Sequence, residues 1–88
     1  AMAVDNGHAM LKTITGTGCM ATTAIAAFAA VEEDRLLAAA AGLACFGLAA
    51  ELAAAGAKGP GSFKVGLFDS LHNLTTEQVM DGARVWYV

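Results

Sequence analysis

Thr15-Gly16-Thr17-Gly18-Cys19, running directly into the apolar stretch Met20 to Val31, is the part of this 88-residue chain with the residue types and spacing to do chemistry. The residues before it have strand character and those after it read as a helix. The glycine loop therefore delivers the chain to a helix N-terminus. Backbone N–H groups without helical partners and the positive end of the helix dipole converge there, which suits a phosphate or another developing negative charge. The N–H groups of Gly16, Thr17, Gly18 and Cys19 are the candidate donors, and the absence of a Cβ at two positions lets a ligand approach the backbone. The same residues also make an ordinary strand-to-helix turn that binds nothing, so the loop alone does not decide.

Two phosphate-binding patterns can be tested against it. Gly16-Thr17-Gly18-Cys19-Met20-Ala21 fits the dinucleotide fingerprint G-x-G-x-x-A. That fingerprint needs a second strand after the helix and an acid about 20 residues on. Glu32 and Glu33 instead close the first helix and another helix follows, so a dinucleotide-binding module stays an alternative that a strand near Glu32 to Leu37 would favour. The P-loop pattern fails, because no Gly-Lys-Ser or Gly-Lys-Thr occurs and Lys58 precedes Gly59.

The elements that must position the loop follow from local signals. Ala1 to Val4 and Ala9 to Ile14 flank Asp5-Asn6-Gly7-His8, and Asn-Gly is a strong hairpin signal, so the two segments are expected to pair through a type I′ turn. Cys19 to Val31 is long enough for three helical turns. Asp34 can cap a helix reaching about Ala55 in a run of almost pure Ala and Leu, with Gly56 closing it. Lys58-Gly59-Pro60-Gly61-Ser62 reads as a rigid turn with a possible nucleotide or interface role. Phe63, Leu67, Leu71 and Leu74 form the stripe of a half-buried helix, and Thr75 with Gln78 fits a capping box for a short last helix. Arg84 to Val88 reads as a ragged end.

Composition sets limits on all of this. A chain of this length buries only about 60% of the surface its unfolded form exposes. Its apolar fraction is 57%, yet 21 alanines match 21 residues of Leu, Ile, Val and Phe combined, so much of that content is methyl groups. Either the chain packs against further protein or it lies in a membrane. The uncharged run from Leu36 to Ala50 reads as too short to span, since about 20 residues are needed, and Glu51 interrupts it. A membrane or structural helical hairpin is accordingly the weaker alternative, and no membrane partner is expected. A net charge of −3 gives no basic patch for nucleic acid, and positive mean hydropathy excludes disorder. Cys19 and Cys45 have no paired spacing for zinc or a disulfide framework, which fits a reducing, cytoplasmic setting. Ala1 to Gly7 has no signal-peptide pattern.

Asn6-Gly7-His8 through Lys12-Thr13-Ile14-Thr15-Gly16-Thr17-Gly18-Cys19, with Lys58-Gly59-Pro60-Gly61-Ser62-Phe63 some forty residues later, resembles the C-terminal third of the hydroxyethylthiazole kinase family. The resemblance runs over essentially the whole chain. It implies an α/β fold, the C-terminal portion of a ribokinase-like three-layer domain, here an edge β-hairpin followed by about four helices. It makes residues 1–88 part of a single kinase domain whose upstream part is absent, and a chain inactive alone. The implied reaction is phosphoryl transfer from ATP, with Mg²⁺, to the hydroxyl of 4-methyl-5-(2-hydroxyethyl)thiazole in thiamine biosynthesis and salvage. The implied assembly is a homotrimer.

On that resemblance Gly16 matches a substrate-contacting position, Gly16 to Cys19 form an anion hole, and Thr17, Gly18 and Cys19 are catalytic. Cys19 stands where sugar kinases of the wider fold carry an aspartate base. A thiolate favoured by a helix N-terminus would take the hydroxyl proton; alternatively Cys19 only packs beside the substrate. His8 and His72 read as exposed or locally hydrogen-bonded, Asp5 and Asn6 as turn residues, and Cys45 as a small buried apolar side chain. Glu51 either faces solvent or pairs with a basic residue.

Overall fold

In chain order, strand β1 (Met2–Val4) leads through a 3₁₀ turn (Ala9–Thr13) to helix α1 (Thr17–Ala29), then α2 (Arg35–Gly56), α3 (Pro60–Asn73), α4 (Thr76–Gly82) and strand β2 (Val85–Tyr87). The computed structural model describes residues 1–87; Val88, the last residue of the expected ragged end, lies outside the described residues. The architecture is α/β, a two-stranded sheet with four helices.

Local chemistry sets the helix ends. Asp34 Oδ1 accepts from the amides of Leu36 and Leu37 at 3.0 and 3.2 Å, satisfying two of the first unpaired donors of α2. Pro60 opens α3 at the first helical position, where its missing N–H costs no hydrogen bond. Ser62 Oγ reaches back to the amides of Lys58 and Gly59 at 2.8 and 3.2 Å. The segment expected as a free-standing turn is therefore partly the first turn of α3. Thr75 and Gln78 form the reciprocal capping box at the head of α4, at 3.0 and 3.1 Å.

α2 is the central element. Alanines and glycines keep it thin, so α1 and α3 both pack closely against it. Phe63 and Leu67 of α3, both fully buried, fill the core beside Phe46, Ala49, Ala50 and Ala53. Each such side chain contributes about 1.5 to 3 kcal/mol by leaving water. Leu71 extends the stripe at the edge of this cluster. Against α1 the approach is closer still: a Cβ on Gly42 would lie 2.7 Å from the Cα of Ile25.

Three local expectations change. The expected hairpin is replaced by pairing of the chain ends: β1 runs antiparallel to β2 with Met2 opposite Tyr87, Ala3 opposite Trp86 and Val4 opposite Val85. A type I′ turn needs positive φ at both central residues, and among the described residues no non-glycine residue, Asn6 included, has it. Ala9–Thr13 winds into the 3₁₀ turn instead, with His8 Nδ1 accepting from the Met10 amide at 3.1 Å. Val85–Tyr87, expected as ragged, is consequently a strand.

The dinucleotide alternative loses its structural context, because α1 is followed by a short connection and then α2 rather than a strand. The judgement that the apolar run is too short to span a membrane is also revised. Charged Arg35 and Glu51 do not interrupt the helix, which is 22 residues long with mean hydropathy 1.9 in its best window, enough to cross a bilayer by length and composition. More than half of that window, 56%, is buried inside this unit, as a core helix would be.

Candidate functional site

Gly16 is the N-cap of α1 and has φ +86°, a left-handed conformation that glycine adopts without a Cβ penalty. The first helical bond runs from the Met20 amide to the Gly16 carbonyl at 3.0 Å. The N–H groups of Thr17, Gly18 and Cys19 precede it and have no helical acceptor. No side chain caps them and no acid occupies the first turn. The four residues predicted as an anion hole thus share one turn, with their donors and the helix dipole available to an anion.

Thr17 and Gly18 line a cleft of about 340 Å³. Ala21 continues their wall along α1. Leu43, Phe46 and Gly47 of α2 form another wall, and Val4, Asn6 and Leu11 complete the lining. Cys19, exposed, lines a separate hollow of about 380 Å³ with Met20, Phe68 and Leu71. Its backbone belongs to the first turn of α1 while its side chain faces the α1–α3 side. Among the described residues, no group of three or more His, Cys, Asp or Glu side chains gathers to hold a metal. Lys58 to Ser62 do not line the cleft. Cys45 is half-buried, and burial pushes its thiol pKa up.

A polar cluster beside the cleft joins the two ends of the chain to α2. Asn6 Nδ2 donates to Glu51 Oε2 at 2.7 Å and to the Gly82 carbonyl at 2.9 Å, while its Oδ1 accepts from the Arg84 amide at 2.7 Å. The Gly7 amide donates to Glu51 Oε2 at 3.2 Å, and Arg84 donates to Glu51 Oε1 at 2.9 Å. Arg84 also reaches the Asp5 carbonyl at 2.9 Å. Asn6, read as a turn residue, is the hub, and Glu51 has the basic partner left open by the sequence. A signal for this cluster existed: apart from Arg35 at its start, Glu51 is the lone charged residue of α2, and an acid in so apolar a helix calls for partners.

Burial pushes the Glu51 carboxyl pKa up, but hydrogen bonds from Asn6, Arg84 and the Gly7 amide, with the charge of Arg84, outweigh it and hold it below the usual range. The unfolded chain therefore binds more protons than the folded one near the ordinary glutamate pKa of about 4.3. The contribution of Glu51 to stability is present above that value and is lost as pH falls through the lower folded-state pKa. Urea unfolding between about pH 6 and pH 3 should show this loss, with a smaller slope in Glu51→Gln. Equal slopes in the two proteins would contradict the assignment.

The profile of the hydroxyethylthiazole kinase family matches residues 1–77. The chain is 71% identical over 84 residues to a hydroxyethylthiazole kinase of Roseiflexus sp. strain RS-1, covering 96% of this chain and 31% of that protein. It is 68% identical over 84 residues to one of Chloroflexus aggregans, covering 96% and 30%. The solved hydroxyethylthiazole kinase structure from Pyrococcus horikoshii OT3 superposes with a TM-score of 0.94 at 44% identity, covering 99% of this chain and 34% of that one. The chain thus spans about a third of the length of the proteins it matches.

Proposed function

The chain belongs to the hydroxyethylthiazole kinase family, and on that premise we propose that it is the C-terminal part of an enzyme that phosphorylates 4-methyl-5-(2-hydroxyethyl)thiazole with ATP. The observation that carries this reading is the uncapped head of α1, where Thr17, Gly18 and Cys19 present their amides beside the cleft. Phosphoryl transfer depends mainly on positioning and charge stabilisation. The thiazole hydroxyl oxygen forms a bond to the γ-phosphorus as the bridging bond to ADP breaks, and the hydroxyl proton leaves. The free N–H groups stabilise the charge on the transferring group's oxygens, Gly16 contacts the thiazole, and the Cys19 side chain, in the hollow beside the same turn, is the acceptor of the hydroxyl proton. Mg²⁺ supplies further charge neutralisation when bound, through residues outside this segment.

Residues 1–88 on this reading form the C-terminal part of one kinase domain and do not turn over alone. None of the residues of α1 is buried although most are apolar. Such a helix needs cover beyond α2, which supports an upstream sheet and a trimeric assembly. Two free cysteines fit a cytoplasmic setting. The test is formation of the thiazole phosphate ester by the full-length protein, read by mass spectrometry. Cys19→Ser should lower its turnover without abolishing it, by roughly ten- to a hundredfold, as expected for a base whose neighbouring donors persist. Unchanged turnover would reduce Cys19 to a packing role.

A further inference from the structure

Gly47 and Glu51 stand four residues apart on one face of α2, and both act on Asn6. A Cβ on Gly47 would lie 2.5 Å from the Asn6 carbonyl oxygen, so glycine lets the Asn6 backbone rest on the helix. One turn later the Glu51 carboxylate takes the Asn6 side-chain amide and the Gly7 backbone amide on the same oxygen, Oε2. Every hydrogen-bonding group of the Asn6 side chain faces a protein partner: Glu51 and the Gly82 carbonyl on Nδ2, the Arg84 amide on Oδ1. The side chain is thus spent on holding its own segment in place. Asn6 and Gly47 also line the cleft that contains Thr17 and Gly18.

We propose that Glu51 is a positioning residue: it clamps Asn6 and Gly7 onto α2 and so fixes the part of the cleft lining that holds the thiazole alcohol near the head of α1. This rests on the kinase reading. Glu51 touches no substrate and acts through Asn6. Arg84 orients the carboxylate by occupying Oε1, leaving Oε2 for the loop. Loosening the clamp widens the acceptor site without touching the N–H groups that stabilise the transferring phosphoryl group.

The experiment uses the full-length protein with Glu51→Gln, Asn6→Ala and the double variant. Glu51→Gln is the gentler change, because it keeps the side chain's size while losing charge and an acceptor. Its KM for the thiazole alcohol should rise roughly tenfold, the size of one charge-assisted hydrogen bond, with KM for ATP within about twofold of the parent. Asn6→Ala should give a similar rise, and the double variant no further one, as for residues acting through one contact. An unchanged thiazole KM in Glu51→Gln, or additive effects in the double variant, would overturn the proposal. Hydrogen exchange reads the clamp without substrate: the Gly7 amide should lose protection in Glu51→Gln. If the parent does not phosphorylate the thiazole, the functional reading fails by itself, and Gly7 protection equal to the parent's then overturns the clamp.

Discussion

Gly18→Val in the full-length protein is expected to lower turnover by at least a hundredfold while leaving the fold intact. A Cβ on Gly18 would meet nothing within 4 Å among the described residues, so the branched side chain has room within this unit. Gly18 sits in the first turn of α1, ahead of the first helical hydrogen bond, and replacing glycine there removes a flexible residue from a helix. The added methyls instead crowd the space beside the unpaired amides of the first turn of α1, which the proposed anion hole requires to be open. Losing a single oxyanion-type donor costs about 10²- to 10³-fold in turnover, and valine obstructs the approach to more than one. Circular dichroism and the melting temperature should stay near those of the parent. Ordinary turnover in a folded Gly18→Val protein would remove the anion-hole assignment.

The second large effect is on stability and concerns the α1–α2 contact. Gly42→Ala puts a methyl 2.7 Å from the Cα and 2.9 Å from the amide nitrogen of Ile25. Backbone atoms have no rotamer with which to yield, so the helices must separate. Overpacking of this kind costs about 1 to 3 kcal/mol, which opposes the gain of about 1 kcal/mol that alanine brings to a helix interior. Ile25 lies two turns along α1 from Thr17 and Gly18, so the shift also reaches the cleft. Gly56→Ala is the matched comparison: it lies at the end of the same helix with nothing within 4 Å of a new Cβ among the described residues. Urea unfolding should find Gly42→Ala destabilised and Gly56→Ala neutral or stabilised. Equal midpoints for the two variants would contradict the close contact.

What the sequence made legible was local. The Asp34 cap, the Thr75 and Gln78 capping box and the Phe63 and Leu67 stripe each depend on residues three or four apart, and each is found where expected. The glycine loop at the head of α1 was legible for the same reason. Strand pairing was not, because the partner of Met2 is Tyr87 and nothing near Met2 encodes that choice. Asn6-Gly7 shows how a short-range signal is overridden. Asn6 is held by Glu51 and Arg84, at sequence separations of 45 and 78, and these bonds fix a conformation that the turn preference of Asn-Gly does not specify. The position of Cys19 was half legible: spacing put its amide in the first turn of α1, whereas the hollow its side chain lines depends on the packing of α3. The extent of α2 was legible, but its apolar reach was underestimated by counting uncharged residues alone, since Glu51 is accommodated inside the helix by its partners.

Thiazole-dependent release of ADP by the full-length protein tests the central claim most directly. With ATP and Mg²⁺ present, a coupled assay should show ADP forming when 4-methyl-5-(2-hydroxyethyl)thiazole is added and only background release when it is withheld. ADP release that is absent, or that is the same with and without the thiazole, would contradict the account.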